Sequence, residues 1–264
     1  FRYVPNRGDA WSWTLKNLDR FFGAASRSAA DPLSNTGRAA LRRMAGDYFA
    51  VVEKLGVLTA ELHRALASGD STRPEFVPEP TTVEDAGRWI DEIRIRGEAV
   101  LDNVARQLET MPTTLPAGVN NQLAAVVRDR GNLLRRAEAL RELADRGVLK
   151  SRIHGDLHLG QILRARDPGP EGEWIVVDFE GEPARPLAVR RQKYSPLRDV
   201  AGMLRSFDYA LHVATANFRT EDFMARNAVR NWGAAWLEMV RGTFLDSYRR
   251  AAEGSGFLPA DDDT

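Results

Sequence analysis

Two short segments of this chain hold residue types that, together, suit phosphoryl transfer. The first, His154-Gly155-Asp156-Leu157-His158-Leu159-Gly160-Gln161, sets a carboxylate five residues before a side-chain amide. The second, Trp174-Ile175-Val176-Val177-Asp178-Phe179-Glu180, closes an apolar run on another carboxylate. Moving a phosphoryl group onto a hydroxyl needs one carboxylate to take the hydroxyl proton and separate oxygen ligands to hold magnesium against the nucleotide phosphates. Asp156 has the position of the base. Gln161 and Asp178 have the positions of the ligands, since magnesium is a hard cation that accepts amide and carboxylate oxygens alike.

These segments need a frame, and the apolar periodicity supplies mostly helices. Trp11, Trp13, Leu15, Leu18, Phe21 and Phe22 recur at helical spacing between Asp9 and Ala24. Leu41, Met44, Tyr48, Val51, Leu55, Leu58, Leu62 and Leu66 extend one amphipathic pattern from Thr36 to Ser68. Pro74, Pro78 and Pro80 make Gly69–Pro80 an extended connector. Thr81 with Glu84 reads as a capping box for a helix whose stripe is Trp89, Ile90, Ile93, Val100, Leu101, Val104 and Leu108, closed by Pro112, Pro116 and Gly118. A fourth helix is expected over Val119–Arg146, stopped at Gly147. From Lys150 the texture turns to β-type runs at Ser151–His154, Gln161–Leu163 and Trp174–Val177, the last two divided by the turn-rich stretch 167–172. A small catalytic hairpin follows from this. Helical spacing returns over Leu197–Tyr209 and Phe223–Ala252, and residues 261–264 read as a frayed tail.

Composition narrows the class. The 264 residues hold 37 basic and 37 acidic side chains, so no net positive field recruits nucleic acid. Cysteine is absent, which excludes disulfides, thiolate metal sites and cysteine nucleophiles, and makes the reducing cytoplasm the expected compartment. No apolar run reaches the roughly 20 residues that cross a bilayer, so no membrane partner is expected.

The segment His154–Gln161, the run Asp178-Phe179-Glu180-Gly181-Glu182-Pro183-Ala184-Arg185-Pro186 and the stretch Ser195–Phe207 closely resemble maltokinases, of the aminoglycoside-phosphotransferase-like branch of the protein-kinase-like fold. The similarity is closest to the kinase domain joined to trehalose synthase, and it extends to Thr59–Ser68 and Phe244–Tyr248. The resemblance implies an α+β, mostly α-helical chain: a kinase-like C-terminal lobe with a small catalytic β-hairpin. It divides residues 1–264 into a hinge and helical subdomain (1–149), catalytic and metal-binding loops (150–182) and C-terminal helices (183–264). It implies ATP-dependent transfer to maltose, giving maltose 1-phosphate, with ATP and Mg2+ as cofactors and trehalose synthase, fused or associated, as a partner. Asp156 becomes the catalytic base and Gln161, Asp178 and Glu180 the metal contacts. Glu180 stands where such kinases usually have glycine. Arg198, Asp199, Trp236 and Tyr248 fall at the sugar groove, and His154 is a structural peg at the site.

The sequence departs from the kinase pattern in one respect. It has no GxGxxG, and Lys16, Lys54, Lys150 and Lys193 do not lie in a strand of the nucleotide-lysine type. The ATP-covering N-terminal lobe is therefore expected to be absent from this chain, which alone should turn over little. Other readings stay open: a glucosamine or other sugar or aminoglycoside kinase, or a noncatalytic kinase-like module that binds sugar or a partner. A binuclear phosphoesterase would need more ligands than His63, His154, His158 and His212 supply. Zinc at His154 and His158 is disfavoured because no glutamate intervenes on a helix.

Overall fold

The computed structural model describes residues 3–110, 117–166 and 173–259. In chain order the elements are β1 (Asn6–Asp9), α1 (Ala10–Ala25), α2 (Asn35–Ala45), α3 (Tyr48–Leu66), β2 (Glu79–Pro80), α4 (Val83–Thr110), α5 (Ala117–Arg128), α6 (Arg130–Arg135), α7 (Arg141–Asp145), β3 (Leu149–Lys150), β4 (Ile162–Ala165), β5 (Trp174–Val176), α8 (Leu187–Arg190), α9 (Leu197–Asn217) and α10 (Phe223–Ala252). The chain is thus a mostly helical α+β protein, with two small sheets among the described residues. No helix is long and apolar enough to cross a membrane among the described residues.

The chain folds as two compact units: residues 1–78 with 150–258, and residues 79–149 with 259–264. The first is assembled around α1, α3, α9 and α10. Tyr48 is the hinge of its core, stacking on Trp13 at 5.3 Å and lying 5.2 Å from Trp236, with its hydroxyl 3.0 Å from the Thr14 Oγ1. Burying a phenol ring with its hydroxyl paired keeps the apolar gain without stranding a polar group. Phe207 of α9 meets Phe244 of α10 edge-on at 5.7 Å.

Local chemistry explains where elements start and stop. Asp9 caps α1, its Oδ1 accepting the Ser12 N–H at 2.6 Å. The single helix expected over Thr36–Ser68 is two, because Gly46 ends α2 with φ of +56° and Asp47 opens the next. The expected hairpin is present: β4 and β5 pair antiparallel, with Ile162 opposite Val176 and Arg164 opposite Trp174. β1 adds a third strand on the other side of β4, an addition that four residues without alternation do not announce. Ser151–His154 is not a strand; Ser151 makes only an isolated bridge to Tyr194.

In the second unit the capping box lies one residue later than expected. Thr82 N–H donates to Asp85 Oδ2 at 3.1 Å and Asp85 N–H to Thr82 Oγ1 at 3.1 Å, opening α4. The fourth helix breaks into α5, α6 and α7 with a 3-10 turn over Arg136–Leu140. Pro112, Pro116, the 167–172 turn and the 261–264 tail lie outside the described residues.

Candidate active site

The loop 154–160 is gripped by one face of α9. Asp199, in the first turn of that helix, accepts the His154 N–H on Oδ2 at 2.8 Å and the Gly155 N–H on Oδ1 at 2.9 Å. Seven residues on, Ser206 Oγ accepts the Leu159 N–H at 3.1 Å. Between them Gly202 permits contact: a Cβ there would sit 2.5 Å from the Leu157 carbonyl oxygen. Positions 199, 202 and 206 share a helix face, so one rigid element fixes the backbone on both sides of Asp156.

His154 ties this loop to the hairpin. It is 2% exposed; its Nε2–H donates to the Val177 carbonyl at 2.9 Å, and its Nδ1 faces the Asp156 N–H at 3.3 Å. The Val177 carbonyl belongs to the residue just before Asp178, so one ring sets Asp156 and Asp178 relative to each other. Phe179 lies 5.3 Å from the same ring.

Gln161 and Asp178 come together. The Gln161 Nε2 donates to Asp178 Oδ2 at 2.9 Å, and Val177 N–H donates to the Gln161 carbonyl at 2.9 Å. Asp178 has φ of +64°, the one non-glycine in the left-handed region among the described residues. Such a conformation persists only where the surroundings impose it, and it is concentrated at functional positions. The hydrogen bond leaves Gln161 Oε1 and Asp178 Oδ1 for a cation. No group of three His, Asp or Glu side chains could hold a metal among the described residues. Two protein oxygens nevertheless fit magnesium, which keeps waters and takes further ligands from substrate phosphates. Glu180 is exposed beside them.

The residues expected at the sugar groove make the following contacts. Arg198 sits over the Tyr194 ring at 4.7 Å and 3.6 Å from the Glu182 carboxylate; burial first, then the Arg185 charge, lowers its pKa from the usual range. Asp199 is 1% exposed and faces the loop amides rather than a pocket. Trp236 and Tyr248 are buried core residues, 1% and 0% exposed. The reason is geometric: α10 packs along α3, and both aromatics point into that seam. Tyr248 instead lies 3.0 Å from His63 Nδ1, and His63 Nε2 lies 3.3 Å from Asp199 Oδ2. Burial, then the Asp199 charge, pushes the Tyr248 hydroxyl well above the ordinary phenol range.

A cavity of about 520 Å³ adjoins Asp156, lined also by Trp11, His158, Arg205 and Tyr209. None of those four was among the substrate residues expected from the sequence. Their signal was present only in part: Arg205 and Tyr209 follow Gly202 at helical spacing on α9, whereas Trp11 reaches the site from the other end of the chain.

No family model matches the chain. It is 30% identical over 247 residues to a glucosamine kinase of Streptacidiphilus jiangxiensis, covering 94% of this chain and 44% of that protein. It is 32% identical over 212 residues to a glucosamine kinase of Mycolicibacterium smegmatis, covering 80% and 42%. The chain therefore spans less than half the length of the curated relatives it matches. Among solved structures it is similar to a glucosamine kinase in complex with glucosamine, ADP and inorganic phosphate, at TM-score 0.67 and 26% identity over 98% of this chain and 50% of the other. A second crystal form of a glucosamine kinase matches at the same TM-score with 25% identity, over 97% and 50%. The maltose expectation is corrected by these likenesses, which are to kinases of glucosamine; maltose 1-phosphate as product and trehalose synthase as partner have no support in them. Motifs shared by kinases of different sugars do not by themselves identify the acceptor.

Proposed function

We propose that this chain carries the catalytic loop of an ATP-dependent sugar kinase whose acceptor is an amino sugar of the glucosamine class. The observation that carries the reading is the joint placement of Asp156 and the Gln161–Asp178 pair on a loop and a hairpin locked together by His154. Its resemblance to glucosamine kinases over nearly its whole length supports the substrate class.

In this reading Asp156 accepts the proton of the attacking hydroxyl. The new O–P bond forms as the bond from the γ-phosphorus to the bridging oxygen breaks, and ADP leaves with that bond's electrons. Magnesium held by Gln161 Oε1 and Asp178, with Glu180 within its reach or that of its waters, would neutralise the phosphate charge. His154 is a positioning residue: it holds the base relative to the metal ligand without touching substrate. Asp199 has the same kind of role, by a different contact. The core placement of Trp236 and Tyr248 favours a structural role for both, and the engagement of Arg198 with Glu182 and Tyr194 favours one for it too.

The test is ADP release by the protein as its gene encodes it, with glucosamine, glucose, maltose and an aminoglycoside offered in turn. Glucosamine-dependent release that falls about 10²–10⁴-fold in Asp156→Asn, with the melting temperature kept, is the expected result. Release with none of the four, or release unchanged in Asp156→Asn, overturns the reading.

A further inference from the structure

Asp178 lies in the left-handed region at φ of +64°, and Gly181, three residues on, is left-handed too at +71°. A non-glycine keeps such a conformation only where its surroundings impose it. Part of that constraint comes from α8. Arg190, the last residue of the helix, reaches back ten residues and donates from Nη1 to the Glu180 carbonyl at 3.0 Å. Its stem lies along Gly181, where an added Cβ would stand 3.4 Å from both Cβ and Cδ of Arg190. The same guanidinium leaves its Nε buried, with no hydrogen-bond partner among the described residues. An arginine that strands one donor in order to reach a carbonyl with another is held in that pose by its surroundings.

α8 is tied to the other loop as well. Arg152, two residues before His154, donates from Nη1 to the Arg190 carbonyl at 3.4 Å. Ser151 and Tyr194 exchange backbone hydrogen bonds at 3.0 and 2.8 Å, one residue before Arg152 and four after Arg190. Gly155 in turn approaches the turn itself, since a Cβ added there would lie 3.5 Å from Gly181 Cα. The stretch 190–194 therefore lies against the residues that lead into Asp156, while the Arg190 head group grips the turn that leads out of Asp178. A hydrogen bond from a guanidinium is charge-assisted and stronger than one from a neutral amide, which suits it to hold a strained turn.

We propose that Arg190 is a positioning residue for the transfer step: through the Glu180 carbonyl and Gly181 it keeps the Asp178 turn left-handed and seated against the 154–160 loop, without touching substrate. Relaxation of Asp178 to negative φ would draw its carboxylate away from Gln161, so that their oxygens no longer converge. What the turn does rests on the sugar-kinase reading, whereas the hold on it is a property of the folded chain that needs no turnover to be seen.

Arg190→Met keeps an unbranched stem against Gly181 and removes the guanidinium, Arg190→Lys keeps a cation and a donor, and Arg191→Met, at the exposed neighbour, is the control. Two readouts are taken on the protein as its gene encodes it. Hydrogen–deuterium exchange, followed by mass spectrometry without metal or substrate, is expected to quicken about tenfold in the peptide spanning 178–181 in Arg190→Met. Peptides of α1 and α10 should keep the wild-type rate, as should every peptide of Arg191→Met. In ADP release with glucosamine, kcat is expected to fall about 10–10²-fold while KM changes less than about threefold, and Arg190→Lys should recover most of both losses. Wild-type exchange of the turn in Arg190→Met overturns the proposal whatever the rates do. A raised KM with kcat kept also overturns it, by placing Arg190 on the substrate. If exchange in Arg190→Met quickens in α1 and α10 alike, Arg190→Gln, which keeps a polar head group, decides by the same criteria. Faster exchange of the turn in a protein that releases no ADP even as wild type would keep the hold and count against the kinase reading alone.

Discussion

The Asp199 carboxylate holds the His154 backbone amide at 2.8 Å, although 45 residues separate the two in the chain. This contact joins the first turn of α9 to the start of the 154–160 loop, and the same carboxylate also accepts from Gly155 at 2.9 Å. On its far side it meets His63 Nε2 at 3.3 Å, and His63 in turn meets the Tyr248 hydroxyl. A buried carboxylate with three donors is stable where one with none is costly. The loop geometry therefore depends on α3, α9 and α10 together.

Replacing Asp199 by Asn leaves one acceptor oxygen and turns the other into an N–H2 group that faces a donor. We expect a loss of about 1–3 kcal/mol in stability, the cost of a stranded buried donor, and a fall of about 10²-fold in kcat from the displaced loop. The glucosamine KM should change much less than kcat, because Asp199 does not face the cavity. Denaturant unfolding and steady-state kinetics measure the two effects; equal changes in KM and kcat would place Asp199 in contact with substrate after all.

Gly202 gives a second, purely steric handle on the same loop. A methyl group there would meet the Leu157 carbonyl at 2.5 Å, so either α9 or the loop must retreat. Gly202→Ala is expected to cost about 1–3 kcal/mol by overpacking and to lower kcat more than replacement of a helix glycine with open space, such as Gly87→Ala, which meets nothing within 4 Å. Thermal melts and kcat on the two variants decide this; parallel behaviour would mean that the close approach does not set the loop.

How much was legible beforehand follows the range of each interaction. Asp156, Gln161 and Asp178 could be singled out because their relation is local: a fixed spacing, and a carboxylate ending an apolar run. The hairpin was legible for the same reason. The roles given to Trp236 and Tyr248 depended on which side of α10 meets α3, and an all-round mixture of aromatic and polar residues does not specify that. Asp199 carried its charge in plain view, but its partners are backbone amides 44 and 45 residues away, which leave no mark on composition. Trp11 joins the cavity through a fold-level approach of α1 to α9, again without a local sign. The expectation of maltose rested on loop motifs, and such motifs belong to a reaction class and do not specify the acceptor.

Asp178→Asn isolates the charge at the proposed metal position. Asparagine still offers an oxygen to Gln161 Nε2, so the 2.9 Å hydrogen bond can be kept while the negative charge is lost. The magnesium concentration for half-maximal rate should rise by about tenfold or more, with stability unchanged within about 0.5 kcal/mol for this exposed side chain. A magnesium titration of ADP release reads this directly. An unchanged midpoint would remove Asp178 from the metal site.

Two of the buried tyrosines, Tyr48 and Tyr248, are expected to make the fold less stable at alkaline pH. Burial raises the pKa of both Tyr48 and Tyr248 above the ordinary value of 10.0; Thr14 partly offsets this at Tyr48, whereas the Asp199 charge reinforces it at Tyr248. Each raised group holds its proton in the folded chain after the unfolded chain has released it. Its contribution is therefore complete below pH 10 and is lost as pH climbs through the interval up to the folded value. Each tyrosine should add a slope of up to about 1.4 kcal/mol per pH unit in that interval. Tyr248→Phe should remove one such slope above pH 10. At pH 7 the same change should cost about 1–3 kcal/mol, because His63 Nδ1 is left buried without the hydroxyl it now faces. Urea unfolding at pH 7, 9, 10 and 11 on the wild type and Tyr248→Phe distinguishes the two effects. Parallel curves from pH 9 to 11 would show that Tyr248 does not hold its proton against the unfolded chain, and with it that the Tyr248–His63–Asp199 line is not closed as drawn.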